Sequence, residues 1–548
     1  MNVSRRRFVG AAAFSATAGA LAAAGRARMP AMAGGRKKRP NVVFFITDDM
    51  LPPHFNFLPG ERKRKTLTPN MERLAKAGTV MLNQYTCSPL CTPSRYSVLT
   101  GRYPSRADNP YFLETTEKYH GQTYVEFNTH VTPKTPDTLP KLLKKAGYVT
   151  GMVGKNHVFE TTWKRFKNFD ASAKDPKNAA QLKANYDHVC QDIRECGFDY
   201  ASRIYDNNPD FLGLHEVAVH NMDWITEGGI EFIKQYHDRS EPFFLYFATT
   251  LPHGPTEAER AWNANPLITA EGYIDKAPSV QPPRHTIPER IKAAGLEPTD
   301  DACNILWVDD ALGALVKTLE ETGELDNTVI FLFNDQWMTA KGTIYEGGAH
   351  TPGFVWRAGG FPAGRWCDAL VSTVDFAPTI LDFAQYDYAG VPFDGESFKP
   401  YLYGEKQHPG RTIYFELGFA RGLMRKGWKY VRIQYPEELA NMSLEERKKR
   451  LEEWNAQRRR RHLNVVTEDP TAPFSHLTAI PGGGDAEKKS TGTKHYPGYY
   501  DTDQLYDVPK DPREQKNLAK NPEYKAKLEE MKAEMRKTLE TLPGKLEI

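Results

Sequence analysis

The sequence predicts an α/β fold: a doubly wound, mostly parallel sheet flanked by helices, with a smaller C-terminal α+β subdomain of antiparallel sheet plus helix. Four continuous apolar runs, rich in β-branched and aromatic residues, are typical of parallel strands buried on both faces. Helix-like segments lie between these runs, and such alternation is typical of doubly wound folds. After residue 411 the alternation gives way to shorter apolar segments and a Gly-rich stretch at 481–485.

Each strand-like run leads directly into polar residues of a catalytic type. The runs are 41–49, ending in Asp48 and Asp49; 148–157, containing Lys155 and His157; 242–253, ending in His253; and 328–336, ending in Asp335 and Gln336. In open α/β sheets, ligands bind beyond the carboxyl ends of the strands. The four polar clusters are therefore expected to form one site.

Helices are predicted over 68–78, 138–147, 222–236 and 300–323, and a last one from 522 to about 541. In the first of these, Thr68 is expected to cap the helix, Pro69 suits its first turn and Gly78 ends it. We assign 40–410 to a catalytic domain and 411–548 to the C-terminal subdomain.

The N-terminus has the features of an export signal. Arginines 5–7 precede a weakly apolar run at 11–24 and an Ala-x-Ala cleavage pattern at 31–33. This order predicts a twin-arginine signal over residues 1–33, read by the twin-arginine export machinery, and a periplasmic or secreted protein. Such export follows folding, often with a metal or cofactor already loaded.

The charge balance argues against nucleic-acid binding. The chain has 72 basic and 69 acidic residues, but residues 1–33 hold five arginines and no acid. The remainder carries 67 basic against 69 acidic residues, so the basic excess of nucleic-acid-binding proteins is missing. No apolar stretch reaches the roughly 18 residues that a membrane span needs. We therefore expect neither nucleic acid as a partner nor an integral membrane segment.

The acidic clusters predict a cation site. Asp48, Asp49, Asp335 and the amide oxygen of Gln336 form an all-oxygen set. Oxygen ligands suit a hard cation, so calcium is expected, with magnesium as the alternative.

The strongest local motif begins at Cys91 and reads Cys-Thr-Pro-Ser-Arg, with Leu-Thr-Gly at 99–101. Pro93 is expected in the first turn of a helix, which places Cys91 beside free backbone N–H groups that attract anions. The segment resembles the signature of the sulfatase family, in which this cysteine is oxidised to formylglycine. Cys87 has the Cys-x-Pro start but lacks the arginine, so we expect it to be structural or disulfide-bonded.

Further motifs carry the same resemblance along most of the chain. They are 41–49, Gly-Lys-Asn-His at 154–157, Pro-His-Gly-Pro at 252–255, Asp335-Gln336, the segment 341–348 from Lys341 to Glu-Gly-Gly, and Leu-Tyr-Asp, Asp-Pro-Arg-Glu and Asn-Leu between 505 and 518. Gln336 stands where the family usually has Asn or His, and Trp337 where it has Gly. His350 stands where it commonly has Arg, which affects substrate contacts rather than the reaction.

The resemblance implies a reaction and a role for each residue. Hydrated formylglycine at Cys91 attacks sulfur, sulfate is transferred to the protein, and its expulsion regenerates the aldehyde. Arg95 holds the modified residue, Lys155 and Lys341 bind sulfate oxygens, His157 acts as base, and His253 with Lys341 protonates the leaving oxygen. The cation is held by Asp48, Asp49, Asp335, Gln336 and modified Cys91. Lys155, His253, Lys341 and His350 are the expected substrate contacts.

The leading hypothesis is removal of sulfate from a sulfated carbohydrate, after a formylglycine-generating maturation enzyme has modified Cys91. An arylsulfatase or a phosphoester or phosphonate hydrolase on the same scaffold is an alternative, and so is a non-catalytic polyanion-binding protein with unmodified Cys91. Specificity is expected to lie in insertions at 108–133, 171–214 and 257–288 and in the C-terminal subdomain. The basic run at 445–461 is interpreted as a solvated helix face, with a polyanion clamp as the alternative.

Overall fold

The computed structural model describes residues 39–60, 63–406, 410–460, 465, 467–474, 477–478, 480–481 and 493–548. The predicted export signal at 1–33 lies outside these ranges. The described residues all fall within one compact unit, Lys37–Ile548. Within them, no helix is both long enough and apolar enough to cross a membrane.

Two kinds of regular element make up the described chain. The strands are β1 (Asn41–Thr47), β2 (Thr79–Tyr85), β3 (Val149–Lys155), β4 (Tyr200–Tyr205), β5 (Phe243–Ala248), β6 (Ile268–Thr269), β7 (Gly272–Tyr273), β8 (Thr328–Asn334), β9 (Gly353–Arg357), β10 (Trp366–Ser372), β11 (Thr412–Leu417), β12 (Ala420–Arg425), β13 (Trp428–Ile433) and β14 (Asp503–Asp507). The helices are α1 (Pro69–Ala77), α2 (Cys91–Thr100), α3 (Pro110–Lys118), α4 (Leu139–Lys145), α5 (Pro176–Glu195), α6 (Met222–Tyr236), α7 (Ile287–Ala293), α8 (Asp300–Glu321), α9 (Glu346–Ala349), α10 (Phe376–Phe383), α11 (Lys399–Leu402), α12 (Glu437–Ala440), α13 (Leu444–Arg460) and α14 (Lys525–Leu539).

The main sheet has eight strands in the order β10-β2-β9-β8-β1-β5-β3-β4. The strands from β8 to β4 pair in parallel, as do β10 and β2, whereas β9 is antiparallel to both of its neighbours. The four predicted runs are the adjacent strands β8, β1, β5 and β3. The prediction of a doubly wound, mostly parallel sheet is confirmed.

Strand β1 lies in the middle of the sheet and is buried along its whole length. Successive side chains of a strand point to opposite faces, so Phe44 and Phe45 serve different layers. Phe44 packs edge-on against Phe376 of α10 at 5.2 Å between ring centres, and Phe45 stacks on Phe247 at 5.0 Å. Helix α6 approaches Phe247 so closely that a β-carbon at Gly229 would meet its ring at 3.0 Å. Helices thus cover both faces, which explains the unalternating apolar runs.

One expected helix cap was wrong. Thr68 occupies the N-cap position of α1, but its side chain makes no capping hydrogen bond. The buried carboxylate of Asp309, on α8, accepts the N–H groups of Asn70 and Met71 at 2.9 and 2.8 Å. Because a distant residue satisfies these donors, Thr68 Oγ1 bonds to Glu72 Oε1 at 3.2 Å instead.

The C-terminal elements confirm the predicted antiparallel sheet with its helix. Strands β11, β12, β13 and β14 pair in that order, all antiparallel. Tyr414 and Leu423 face α14, where they pack with Met531, while Phe415 packs with Ile344 beside the larger sheet. Both faces of this small sheet are therefore covered. The domain boundary near residue 410 stays a prediction.

The basic run on α13 is mostly exposed, and a few of its residues make contacts within the protein. Arg458 is buried and its guanidinium lies over the Trp454 ring at 5.9 Å, while Arg459 pairs with Glu468. Arg460 is exposed, and Arg461 lies outside the described residues. These contacts favour the interpretation of a helix face over that of a polyanion clamp.

All six cysteines are described and all are free thiols. Cys87 is buried, with its sulfur 3.0 Å from Ser97 Oγ and 3.2 Å from Thr373 Oγ1. Of the two expectations for Cys87, the structural role therefore holds.

A buried ion cluster connects the small sheet to the larger one. Lys429 on β13 is fully buried, and its Nζ donates to Glu346 Oε1 at 2.8 Å and to Glu514 Oε1 at 2.9 Å. Glu514 also accepts the N–H of Glu346 at 2.7 Å, and the Tyr85 hydroxyl donates to Glu346 Oε2 at 3.0 Å. Although burial opposes its charge, the two carboxylates raise the pKa of Lys429.

Replacing Lys429 should therefore destabilise the protein strongly. We expect Lys429→Met to lower the free energy of unfolding by about 3–5 kcal/mol, because two buried carboxylates lose their cation. Urea denaturation followed by circular dichroism measures the loss. The control is Lys510→Met, which removes an exposed lysine paired with Asp507 and should leave the denaturation midpoint unchanged. Equal midpoints for the two variants would contradict a stabilising role for the cluster.

Candidate active site

The predicted clusters converge beyond the carboxyl ends of four adjacent parallel strands. Asp48 and Asp49 follow β1, Lys155 ends β3, His253 lies beyond β5, and Asp335 follows β8. The end of β3 lies exceptionally close to the end of β5. A β-carbon at Gly154 would lie 1.7 Å from the Ala248 carbonyl oxygen, and the φ of Gly154 is +86°. The backbone conformation and the close approach to Ala248 therefore require glycine at position 154.

Cys91 lies at the centre of this arrangement, as the first residue of α2. Its sulfur accepts a hydrogen bond from Gln336 Nε2 at 3.2 Å and donates to Asp48 Oδ1 at 3.5 Å. The Nζ atoms of Lys155 and Lys341 each lie 3.7 Å from the same sulfur. Burial raises the pKa of the Cys91 thiol to about 12, and these lysines offset only part of that effect. The unmodified thiol is therefore protonated at neutral pH and a weak nucleophile.

Three buried carboxylates belong to the site, those of Asp48 and Asp335 close to the sulfur, and cationic side chains pair with all three. Lys155 Nζ bonds to Asp48, and Lys341 Nζ donates to Asp49 Oδ2 at 2.7 Å. Although burial opposes ionisation, Lys155 holds the pKa of Asp48 well below its ordinary value, and Lys341 lowers that of Asp49. Asp335 differs, because burial and the neighbouring Asp48 carboxylate raise its pKa to about 7. Asp335 is thus the carboxylate whose charge its surroundings stabilise least.

Arg95 is the third cation and is fully buried. Its Nη2 donates to Asp335 Oδ2 at 3.1 Å and lies 3.9 Å from Asp48 Oδ1. Ser94, one residue earlier on α2, donates from Oγ to the Asp335 carbonyl at 2.7 Å. These bonds tie the first turn of α2 to the loop after β8.

The donor set fits a hard cation. Ligand atoms of Asp48, Cys91 and Asp335 all lie within 4.8 Å of one another. Gln336 Nε2 donates to Asp49, whereas Gln336 Oε1 is buried with no hydrogen-bond partner among the described residues. A buried amide oxygen without a partner is costly, and a cation would satisfy it. The predicted ligands Asp48, Asp49, Cys91, Asp335 and Gln336 are therefore brought together.

The two predicted histidines lie at the edge of the cluster. His253 Nε2 is 3.5 Å from Asp49 Oδ2 and 2.9 Å from Asn208 Nδ2, and its Nδ1 donates to the Gly254 carbonyl at 2.9 Å. Burial and Lys341 lower the pKa of His253 to about 4. His157 has a left-handed backbone, with φ of 55°, and burial followed by Lys155 and Arg95 lowers its pKa well below the usual range. Both imidazoles are neutral here.

His350 lies away from this group of residues, on the side of the edge strands. Its Nε2 donates to the Leu82 carbonyl at 2.7 Å, and its ring packs against Tyr85 at 4.9 Å and Trp337 at 5.2 Å. These residues line a groove of about 1120 Å³ between the two sheets. The role of His350 in substrate binding stays a prediction.

Asn208 is a site residue that the sequence analysis missed. It follows β4, the next strand along from β3, so it lies at the same end of the sheet. The polar run Asp-Asn-Asn at 206–208, directly after Tyr-Ala-Ser-Arg-Ile-Tyr, was the available signal. The run lacked the continuous apolar character used to recognise the other strands, because β4 is an edge strand with partly exposed residues.

The sequence is similar to those of known proteins. Residues 40–386 match the Sulfatase family model. N-acetylgalactosamine-6-sulfatase of Mus musculus is 26% identical over 380 residues, covering 64% of this chain and 64% of that protein. N-acetylglucosamine-6-O-sulfatase of Bacteroides thetaiotaomicron is 25% identical over 577 residues, covering 90% of this chain and 85% of that protein.

A solved structure shows the same fold. It was determined in complex with its substrate D-glucosamine-2-N,6-O-disulfate, and it matches with a TM-score of 0.54 and 19% identity, covering 92% of this chain and 98% of that chain. This chain spans about 63–64% of the length of the N-acetylgalactosamine-6-sulfatases that it matches. The family match covers Asp48, Cys91, Lys155, His253 and Asp335, and we conclude that this chain belongs to the sulfatase family.

Proposed function

We propose that the protein is a sulfuric ester hydrolase that removes sulfate from a sulfated carbohydrate. The observation that carries this proposal is the position of Cys91, with two lysine ammonium groups 3.7 Å from its sulfur and a carboxylate cluster behind it. Two relatives named as sulfatases of N-acetylated amino sugars support carbohydrate as the substrate class. We further propose that residues 1–33 direct export to the periplasm or beyond.

A calcium ion, or magnesium in its place, would be held by Asp48, Asp49, Asp335, Gln336 and Cys91. When bound, the ion would supply Lewis acidity at the nucleophile and positive charge beside the sulfate. The three carboxylates would then be neutralised by the ion and by Arg95. Lys155 and Lys341 would become available to the oxygens of a sulfate group, which they flank on either side of Cys91.

The nucleophile is proposed to be formylglycine, produced from Cys91 by a maturation enzyme. Helix α2 presents residue 91 at its N-terminus, where free N–H groups favour negative charge. Arg95, one turn later on the same helix, keeps its guanidinium beside Asp48 and Asp335 and so orients the residue against the cluster. Residue 91 thus lies within reach of both lysines, whose Nζ atoms are each 3.7 Å from its sulfur.

Proton transfer is assigned to the edge of the site. Lys341 stays charged, because Asp49 raises the pKa of its ammonium group in spite of burial. His253 lies beside the same Asp49 oxygen, with 24% of its side chain exposed toward the entrance. Lys341 carries the proton that the departing oxygen needs, and His253 shares this role once its Nε2 has taken up a proton from solvent. His157, two residues after Lys155 in the chain, is assigned as the group that accepts a proton.

The first test is chemical. Protein made with the maturation enzyme should yield a tryptic peptide 77–95 in which the Cys91 sulfur is replaced by an aldehyde oxygen, as measured by mass spectrometry. The same protein should release sulfate from sulfated sugars faster than phosphate from the matched phosphate esters. Faster phosphate release would favour a phosphoester hydrolase, and an intact thiol with sulfated-polymer binding would favour a non-catalytic protein.

Replacing His253 should separate substrates by their leaving group. We expect His253→Ala to lower kcat on alkyl and sugar sulfates by about 10²–10⁴-fold, because these leaving oxygens need a proton. Aryl sulfates with acidic phenols need less help and should lose much less activity. Steady-state kinetics on both classes decides, with His215→Ala, at an exposed histidine paired with Asp170, as the matched control. Equal losses on both classes would remove the role of His253 as an acid.

Calcium should stabilise the folded protein. After treatment with a chelator, added Ca²⁺ at a hundredfold excess over its Kd should stabilise the fold by about 2.7 kcal/mol, visible as a higher Tm. Asp335→Asn should abolish most of the increase. Asp326→Asn, an exposed acid near the opposite end of the same strand, should retain it. An identical Ca²⁺ response in the two variants would contradict the assigned site, and titration with Mg²⁺ ranks the two ions.

A further inference from the structure

One exposed phenylalanine stacks on His157, and a second lies three residues after the asparagine that contacts His253. Phe127 is 37% exposed, and its ring stacks on His157 with 5.3 Å between ring centres and 17° between planes. Phe211 is 46% exposed, and its N–H donates to the Asn208 carbonyl at 2.9 Å. The Asn208 amide in turn contacts His253. The Phe127 ring thus lies against one histidine, and Phe211 is exposed three residues after the asparagine that contacts the other.

The loop that carries Phe127 is held in place by buried amides. Asn128 Oδ1 accepts the N–H of Glu126 at 2.9 Å, and its Nδ2 donates to the Tyr124 carbonyl at 3.0 Å. Asn109 donates to the Asn128 carbonyl and accepts the His130 N–H, both at 3.0 Å. Because Asn109 and Asn128 are buried and use both ends of their amides, Phe127 is presented by a fixed loop.

An exposed ring on a fixed loop has a physical cost that a ligand can remove. Apolar area left in water costs roughly 25 cal/mol per Å² relative to burial. Polar capacity is available beside His253, because the Asn208 amide contacts that histidine and its Oδ1 is buried without a hydrogen-bond partner among the described residues. An apolar face combined with a hydrogen-bond acceptor matches a sugar ring, whose C–H face is apolar and whose edge carries hydroxyl donors.

We propose that Phe127 and Phe211 form an aromatic rim that packs against the C–H face of the sugar ring bearing the sulfate. Asn208 Oδ1 accepts a hydroxyl of the same sugar. The inference rests on the proposed sulfatase activity and adds the residues that select a saccharide over a small sulfate ester. It also assigns a use to the insertions at 108–133 and 171–214, from which the two rings come.

The test is Phe127→Ala, assayed on a sulfated monosaccharide and on an acyclic alkyl sulfate with no ring to stack. We expect kcat/KM on the saccharide to fall roughly tenfold, mainly through KM, because an aromatic contact of this kind is worth about that factor. The acyclic sulfate should be hydrolysed as well as by the wild type. Phe127→Tyr keeps the ring and should restore activity on the saccharide.

The chain offers a matched control in Phe169. This ring is also 37% exposed and also stacks on a histidine, His215, at 6.0 Å and 22°. His215 pairs with Asp170 and has no part in the proposed chemistry. Phe169→Ala should therefore leave both substrates unaffected. Equal saccharide losses in the Phe127 and Phe169 variants would overturn the proposal.

Two further outcomes separate the rim from the chemistry. A loss on both substrates in Phe127→Ala would mean that the ring supports His157 rather than the sugar, and would overturn the proposal. Binding is measured independently by calorimetry with the sulfated monosaccharide on Cys91→Ala, with and without Phe127→Ala. A roughly tenfold weaker Kd supports the rim even if the wild type hydrolyses no sulfate ester, and an unchanged Kd contradicts it.

Discussion

The concentration of negative charge at the carboxyl ends of β1 and β8 is the constraint on which the rest of this structure depends. Asp48, Asp49 and Asp335 are all buried, and two of them offer ligand atoms within 4.8 Å of each other and of Cys91. Carboxylates this close repel one another strongly in a poorly solvated site. Arg95, Lys155 and Lys341 offset this repulsion, and each comes from a different part of the chain. Fold and site are therefore coupled, because the charges balance only when these segments are assembled.

The smaller sheet has a part in this assembly. Lys341 belongs to the loop between β8 and α9, and α9 begins at Glu346, whose carboxylate bonds to Lys429 of β13. Glu514, from the segment after β14, accepts the backbone N–H of Glu346. The C-terminal elements thus hold the far end of the loop that carries Lys341, a lysine of the candidate site. Burying charged groups between two sheets costs desolvation free energy. Here the buried ion cluster also lies next to the loop of the candidate site and holds one end of it.

The entrance of the site is built on different principles from its interior. Inside, charged groups pair with one another and are shielded from water. At the entrance, neutral histidines with lowered pKa values lie next to exposed rings and polar loops. The interior and the two histidines follow motifs that resemble those of a whole family, whereas the exposed ring of Phe127 comes from an insertion that shows no such motif. Under the proposals above, the residues for chemistry and those for specificity come from different segments, a common result of placing sites on shared folds.

The sequence by itself determined the parallel strands and the chemistry they carry. Buried parallel strands have continuous apolar sequences, and their carboxyl ends lie at one edge of the sheet. The sequence therefore predicts that Asp48, Lys155, His253 and Asp335 lie close together. The cap of α1 by Asp309, the bond of Asn208 to His253 and the Lys429 cluster were decided only by the tertiary structure. Each of these contacts joins residues far apart in the chain or involves an edge strand with weak apolar character. Local sequence patterns do not show which distant residues come together in space. For the same reason, only the tertiary structure shows that the insertion at 108–133 packs against the end of β3, where Phe127 stacks on His157.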